Sequence, residues 1–374
     1  MTVGNLRNAQ LTINLHAIYS NIQHAVKRLD PGTVLFQVVK ADGYGHGAIQ
    51  VARVAEKAGA GGFCVAILDE ALELRHAGIT KPILVLGVTD PELAYLAASQ
   101  NISLTVGSSE WLRSANKLLQ DSHAMRPLNV HLALDTGMGR IGFQTPKELE
   151  EALGLLNDNN DRMAFEGIFT HFATADSQDD SYFKFQYQNF EDFMSVVKNK
   201  PKYIHVANSA TSLWHKVCGG NMVRFGISAY GLNPSGREIS EVPYELKPAL
   251  SVTTELDFSK LVKKGRSIGY GATYTTDDDQ WIGTVPVGYA DGIPRALQGF
   301  SVLIDGHKCP IVGRVCMDQF MIRMPKNYPY GTEVTIIGRS GDQEITADDV
   351  ADYLKTISYE VICGFSSRLR RKYV

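Results

Sequence analysis

The sequence predicts an α/β protein built as a (β/α)8 TIM-like barrel followed by a mostly β C-terminal domain. Two observations carry that expectation. Through the first two thirds of the chain, short apolar runs rich in β-branched residues alternate with longer stretches of helical period. After about residue 243 the alternation gives way to short period-two segments separated by Gly, Asp and Pro. The strand candidates of the first region number eight, which is the number that closes such a barrel; an open doubly wound sheet is the alternative.

The elements follow in chain order. "QLTINL" at residues 10–15 alternates cleanly and is a candidate to pair with the later domain. An opening helix, "LHAIYSNIQHAVKRL", comes next. The strands are "VLFQVVK", "GGFCVAIL", "PILVLGV", "ISLTV", "LNVHLALD", "MAFEGIFTHF", "YIHVAN" and "MVRFGI". Between them lie "AIQVARVAEKAG", "DEALELRHAG", "PELAYLAASQ", "EWLRSANKLLQ", "PKELEEALGLL" and "YFKFQYQNFEDFMSVVKNK", all of helical period. The barrel is expected over residues 10–243 and the second domain over 244–374, where "LSVTTELDFS", "WIGTVPVGY", "SVLIDGHKCPIVG" and "EVTIIG" read as strands and "TADDVADYLKTI" as one helix.

Composition narrows the function classes. With 44% hydrophobic residues in 374 and a formal net charge of −3, the chain has material for a large core and no electrostatic reason to bind nucleic acid or an anionic membrane. No stretch is long and apolar enough to span a bilayer, and the start lacks the apolar core of a signal peptide, so a soluble cytoplasmic protein is expected. The terminal "RLRRKYV" is a short basic run, expected to be solvated. Cys64, Cys218, Cys309, Cys316 and Cys363 are scattered and odd in number, which implies reduced thiols and no zinc site.

In a barrel of this kind reactive groups lie where strands end and loops begin. Lys40 and Tyr44 follow the first strand, Arg140 the fifth, His171 the sixth, Asn208 and Ser209 the seventh, and Arg224 lies near the end of the eighth. Each has an ordinary structural explanation taken singly; their convergence on one rim marks a site. "GMGRIG" at residues 137–142 fits a dinucleotide fingerprint literally, but the next helix starts several residues later, with Thr145 as N-cap and Pro146 at its first position, so nicotinamide binding is disfavoured. A desolvated lysine can attack a carbonyl to form a Schiff base. Gly43, Gly45 and Gly47 allow backbone conformations closed to other residues, and Ser209 with "RFGI" sits where barrels hold phosphate. Pyridoxal phosphate combines an aldehyde with a phosphate; the residues alone leave other ligands open.

These segments carry a resemblance. "VVKADGYGHG" resembles the cofactor-lysine signature of alanine racemases, and "DTGMGRIG", "HVANSA", "VRFGISAYG", "SIGYGATY", "VGYADG" and "VGRVCMDQ" resemble further segments of that family in the expected order, across essentially the whole chain. The resemblance implies a pyridoxal-phosphate barrel followed by a β domain, working as a homodimer on alanine. It implies that Lys40 carries the cofactor and acts as one base. Tyr44, Ser209, the backbone of Gly226 and Ile227, and Tyr359 would hold the phosphate, with Asn208 nearby and Leu86 against the ring. Arg224, oriented by His171, would face the pyridine nitrogen; a guanidinium donates a hydrogen bond but does not readily give up its proton, which makes the ring a weaker electron sink.

Tyr270 of a partner subunit would be the second base, on the opposite face of Cα. Met317 and Arg140 would bind the substrate carboxylate, Tyr289 would line the pocket, and Asp176, Arg295, Arg314, Asp318 and Ile357 would flank the substrate's access route. One position departs: many relatives carry a carbamylated lysine seven residues before the arginine of "TGMGR", and here that position is Ala133. A chloride ion, water or another side chain is expected to fill the gap beside Arg140. A broad-specificity racemase, a barrel-type decarboxylase and a non-catalytic cofactor carrier are the other readings.

Overall fold

The computed structural model describes residues 2–120, 126–215 and 219–374; Cys218 lies outside the described residues. The chain divides into two compact units, Ala17–Lys247 and a second that joins the residues up to His16 to Pro248–Val374.

Strand β1 (Gln10–Ile13) belongs to the second unit. The first unit holds eight parallel strands: β2 (Val34–Val38), β3 (Gly62–Val65), β4 (Ile83–Val88), β5 (Ile102–Val106), β6 (Leu128–Ala133), β7 (Met163–Phe169), β8 (Tyr203–His205) and β9 (Met222–Phe225). Each pairs with the next in sequence from β2 to β8, and β2 also pairs with β9. The remaining seam, β8 to β9, is closed by an Ala207–Val223 bridge, by Arg224 N–H donating to Ala207 O at 2.9 Å, and by the Asn221 side chain accepting from Ile204 N–H at 2.8 Å. The sheet is therefore a barrel, and the open doubly wound alternative is excluded. Its strands are almost wholly buried, as expected where helices cover one face and packed side chains the other.

Helix boundaries follow local chemistry. Pro146–Asp158 begins where Thr145 Oγ1 accepts the Glu148 N–H at 3.2 Å, and the Glu148 carboxylate reaches back to Gln144 N–H at 2.7 Å. The helix expected to run to Lys200 ends at Met194. Val196 and Val197 are β-branched, and Lys200 precedes Pro201, which disfavours helical backbone there.

The second unit is mostly antiparallel. β1 pairs antiparallel with β10 (Leu250–Glu255), which pairs in turn with Glu333–Ser340. A second sheet joins Phe258–Val262, Gln280–Val285 and Phe320–Met324. The basic C-terminal run is not a solvated tail: Arg370–Tyr373 pairs parallel with β1, Gln10 opposite Arg370, and Leu369 is buried. Its backbone completes the sheet while its cations occupy the edge, where charge discourages further pairing. Two helices lie near the end instead of one, Ala347–Leu354 and Ser358–Cys363, separated where Lys355 adopts φ 58° and caps the first.

Asp291 is fully buried and fixes the turn Tyr289–Asp291. Its carboxylate accepts from Arg7 Nη2 at 2.6 Å, from Gly288 N–H at 2.9 Å, and lies 3.3 Å from Arg368 Nε. Removing one member of a buried ionic cluster leaves uncompensated charge. Asp291→Ala is expected to destabilise this unit by about 3 kcal/mol, read as a lowered Tm by calorimetry. Asp279→Ala, which removes an exposed pair with Lys263 and a bond from Lys264 N–H, is expected to change the Tm far less.

Candidate active site

The chain leaves β2 into a left-handed turn that carries Lys40. Ala41, Asp42, Gly43, Tyr44, Gly45 and Gly47 all have positive φ, between 52° and 94°. Glycine takes this conformation freely, but Ala41, Asp42 and Tyr44 do so against a cost of about 1–2 kcal/mol each. The surroundings hold them: Glu70 Oε1 accepts Ala41 N–H at 2.6 Å while its Oε2 accepts Ala66 N–H at 2.7 Å, and Asp42 Oδ1 accepts Ala48 N–H at 2.9 Å. Lys40 is half-buried at the mouth of this turn.

Tyr44 is buried, its ring 5.0 Å from that of Tyr230, whose hydroxyl donates to Val38 O at 2.8 Å. Its own hydroxyl meets the loops that follow β8 and β9. A methyl group placed on Gly226 would stand 3.0 Å from the Tyr44 hydroxyl and 3.7 Å from Ser209 Oγ, and Gly226 N–H donates to Ser209 Oγ at 2.9 Å. Two hydroxyls and a backbone bare of side chain thus converge at the strand ends, a donor set suited to a phosphate-sized anion. Ile227 opens the short turn after Gly226. Asn208 is turned to structural use, its Oδ1 accepting Thr211 N–H at 2.9 Å. Leu86 is half-exposed on β4.

Arg224 is buried and meets acceptors throughout. Nη1 donates to His205 Nδ1 at 2.8 Å and His205 O at 2.6 Å; Nη2 donates to Thr170 O at 2.9 Å and His171 Nδ1 at 3.1 Å. Burial lowers its pKa to about 10, which leaves it cationic at neutral pH. Loss of hydration, with the charges of Arg224, Arg140 and Lys40, holds His171 well below the usual imidazole range. Burial likewise pushes the Cys64 thiol up to about 12 against the charges of Arg224 and Lys40. Arg140 is exposed, at the end of a loop in which Asp135 Oδ1 accepts Gly137 N–H at 3.1 Å and Gly139 N–H at 2.9 Å, while Ala133 is buried in β6. The glycines of "GMGRIG" serve this loop and do not open a helix.

In the second unit Tyr270 is 70% exposed, on a turn between Gly269 and Gly271, both with positive φ. A methyl on Gly271 would touch the Arg314 guanidinium at 2.9 Å, so Arg314 lies directly against that turn. Tyr289 and Met317 are also exposed, and their segments are joined: Tyr289 N–H donates to Cys316 O and Ala290 N–H to Met317 O, both at 3.0 Å. Asp318 is ion-paired with Arg368 at 2.8 Å. Arg295 and Ile357 are exposed and Tyr359 is half-buried in the last helix; Asp176, in the first unit, is half-buried.

Residues 13–234 match the family described as alanine racemase, N-terminal domain, and residues 249–373 match alanine racemase, C-terminal domain. The chain belongs to the alanine racemase family. The alanine racemase of Levilactobacillus brevis is 59% identical over 373 residues and that of Lactiplantibacillus plantarum 56% over 374, each with 100% of both chains covered. The crystal structure of alanine racemase from E. faecalis superposes with a TM-score of 0.97 at 51% identity, covering 100% of both chains. A histidine racemase from Leuconostoc mesenteroides subsp. sake gives 0.92 at 35% identity, covering 100% of this chain and 99% of that one.

In the barrel unit Glu70, His131 and Glu166, and in the second unit Arg7, fall outside the sequence motifs, while His205 and Asp291 lie within "HVANSA" and "VGYADG" without a role read for them there. Acidic and imidazole groups inside apolar strands, as in "VHLAL" and "YIHV", were the available signal. His131 and His205 are buried, and desolvation is the first cause of their lowered pKa values, against 6.5 normally. The unfolded chain therefore takes up protons below about pH 6.5 that the folded chain refuses, so this stabilisation is complete above that pH and is lost as pH falls. Tm measured from about pH 7.5 down to pH 5 is expected to fall, at up to roughly 1.4 kcal/mol per pH unit for each histidine. In His205→Asn the slope is expected to be shallower.

Proposed function

We propose that this alanine racemase binds pyridoxal phosphate and interconverts L- and D-alanine as a homodimer, with Lys40 of one subunit and Tyr270 of a second copy as the two bases. The convergence of the Tyr44 and Ser209 hydroxyls with Gly226 beside the Lys40 turn carries this reading. The donor set fits the cofactor: hydroxyls and backbone N–H suit a phosphate, a primary amine suits an aldehyde, and the buried Arg224 suits a ring-nitrogen acceptor. Tyr359 and Ile227 N–H would complete the phosphate contacts, and Leu86 would pack against the ring. When bound, the cofactor supplies the electron sink that makes the substrate Cα proton acidic.

Racemisation then needs a group on each face of Cα, because one base cannot reach both. The Lys40 amine takes or gives the proton on one face and the Tyr270 phenol on the other. Exposure of Tyr270 on a glycine-flanked turn favours its delivery into another subunit's site. Arg140 and the Met317 N–H hold the carboxylate, and Tyr289 narrows the pocket. A decarboxylase is disfavoured because Arg224 stands where an acidic partner would be expected. The likeness to a histidine racemase keeps broader specificity as the second reading, so racemisation of several amino acids, histidine included, is to be assayed alongside alanine. A D-alanine supply for peptidoglycan, made in the cytoplasm, is the proposed context; among the described residues no helix is long and apolar enough to cross a membrane.

Reduction with borohydride after loading with pyridoxal phosphate, followed by peptide mapping, is expected to label Lys40; a label elsewhere overturns the cofactor assignment. Lys40→Ala and Tyr270→Phe are each expected to abolish racemisation. Mixed and allowed to exchange subunits, they should regain about a quarter of wild-type activity, because half the dimers are mixed and carry one intact site of two. No recovery would place both bases on one chain.

The buried Ala133 leaves the exposed Arg140 without a carbamate, and we assign chloride to balance it. Ala133→Lys is expected to replace a chloride response by a bicarbonate response. Unchanged activity with both responses unaltered defeats the assignment.

A further inference from the structure

The interior of the barrel holds a polar chain that runs from Arg224 to groups for which the proposed mechanism gives no role. Five adjacent strands contribute one residue each: Ser103 from β5, His131 from β6, Glu166 from β7, His205 from β8 and Arg224 from β9. Arg224 Nη1 is 2.8 Å from His205 Nδ1, His205 Nε2 is 2.8 Å from His131 Nδ1, His131 Nε2 is 3.2 Å from Glu166 Oε2, and Ser103 Oγ is 2.5 Å from that same oxygen. Arg224, His205, His131 and Ser103 are all at most 4% exposed. Gly167 makes the room: a methyl there would lie 2.3 Å from His131 Nδ1. Such polar groups displace the branched apolar side chains that ordinarily fill a barrel, and buried polar networks are costly unless every member is satisfied.

The two ends fix the direction of every bond between them. A guanidinium only donates, so His205 Nδ1 must accept and its proton sits on Nε2. That proton makes His131 Nδ1 an acceptor and puts the His131 proton on Nε2. An ionised carboxylate only accepts, so Glu166 receives it. Burial raises the Glu166 pKa, but its bonds to His131 and Ser103 outweigh that and hold it below the ordinary value. Lys202 is the other charge facing the carboxylate, and Cys64, Lys40 and Arg140 are the groups facing the Arg224 end. Reversal of either imidazole would set N–H against N–H somewhere in the chain.

We infer that Glu166 is a positioning residue for Arg224, acting through His131 and His205 to hold both imidazoles as Nε2–H tautomers, so that the guanidinium keeps one orientation toward the ring nitrogen. This rests on the reading of Arg224 as the residue that faces that nitrogen. The test is long-range 15N–1H correlation of the histidines, in protein with and without pyridoxal phosphate, together with the visible spectrum and racemisation kinetics of Glu166→Leu and Glu166→Gln. In the wild type, His131 and His205 are expected as neutral Nε2–H forms at neutral pH; an Nδ1–H or doubly protonated form of either overturns the inference, and this measurement needs no variant to fold. Glu166→Leu removes the terminal acceptor, and is expected to release the His131 tautomer and loosen the support of His205 on Arg224, shift the cofactor absorption and lower kcat about tenfold or more with KM little changed. Glu166→Gln can still accept through its amide oxygen and is expected to restore tautomer, spectrum and kcat. A Glu166→Leu protein with wild-type tautomers, spectrum and kcat also overturns it. Absence of racemisation in the wild type would refute the proposed function alone, because the tautomers are read without turnover.

Discussion

A buried guanidinium that can only donate organises the centre of this barrel. Arg224 is offered acceptors alone: the carbonyls of Thr170, His205 and Val206 and one ring nitrogen from each of His171 and His205. Its charge makes protonation of those imidazoles unfavourable, and burial acts in the same direction, so both stay neutral acceptors. No carboxylate touches Arg224 among its recorded partners; the acidic group of the network, Glu166, is reached only through two rings. A direct carboxylate would share the guanidinium's donors. Relayed compensation leaves the cation electrostatically prominent at the strand ends, where the proposed cofactor ring would lie.

Within each unit, strained or close-packed backbone is held in place by its surroundings. The turn bearing Lys40 takes left-handed backbone at three residues that are not glycine, a conformation maintained by Glu70, Asp42 and the packing of Tyr44 on Tyr230. Strain of this kind persists only where the surroundings over-determine the backbone, and here they supply several short bonds to main-chain N–H groups. In the second unit Gly288 plays the comparable part: a methyl there would stand 2.3 Å from Cys316 O, so only glycine lets the Tyr289 and Met317 segments touch.

How much of this was legible depended on whether a signal is local. Strand and helix alternation, the Thr145 cap and the displacement of "GMGRIG" from any helix start are local, and the fold follows them. Positions at or just after strand ends are also local, which is why Lys40, Tyr44, Ser209 and Arg224 stand out in the sequence. The relay was hidden because it depends on register: Ser103 and Glu166 are 63 positions apart in sequence, and the alternation of a strand buried on both faces does not say which side chains meet in the middle. The pairing of the basic C-terminal run is hidden in the sequence for the same reason, since its partner strand begins 360 residues away. The glycines announced a sharp turn after β2, but nothing in composition announces that Ala41 and Asp42 share it.

The second unit explains why an enzyme of the proposed kind would divide its chemistry between modules. Gly271, next to Tyr270, lies against Arg314; the segment from Cys316 to Met317 is bonded to the Tyr289 turn; that turn is anchored by Asp291 to Arg7 and Arg368; and Arg368 reaches Asp318. These contacts join the exposed groups of the second unit into one continuous framework. The barrel groups form a second framework around Arg224. Two proton-handling groups on opposite faces of one carbon must keep their separation while substrate enters and leaves, and a side chain on a lone flexible loop could not keep it. Each unit can meet its share of that requirement by bracing its own proposed base, the barrel through the bonds that hold the Lys40 turn and the second unit through the contacts around the Tyr270 turn.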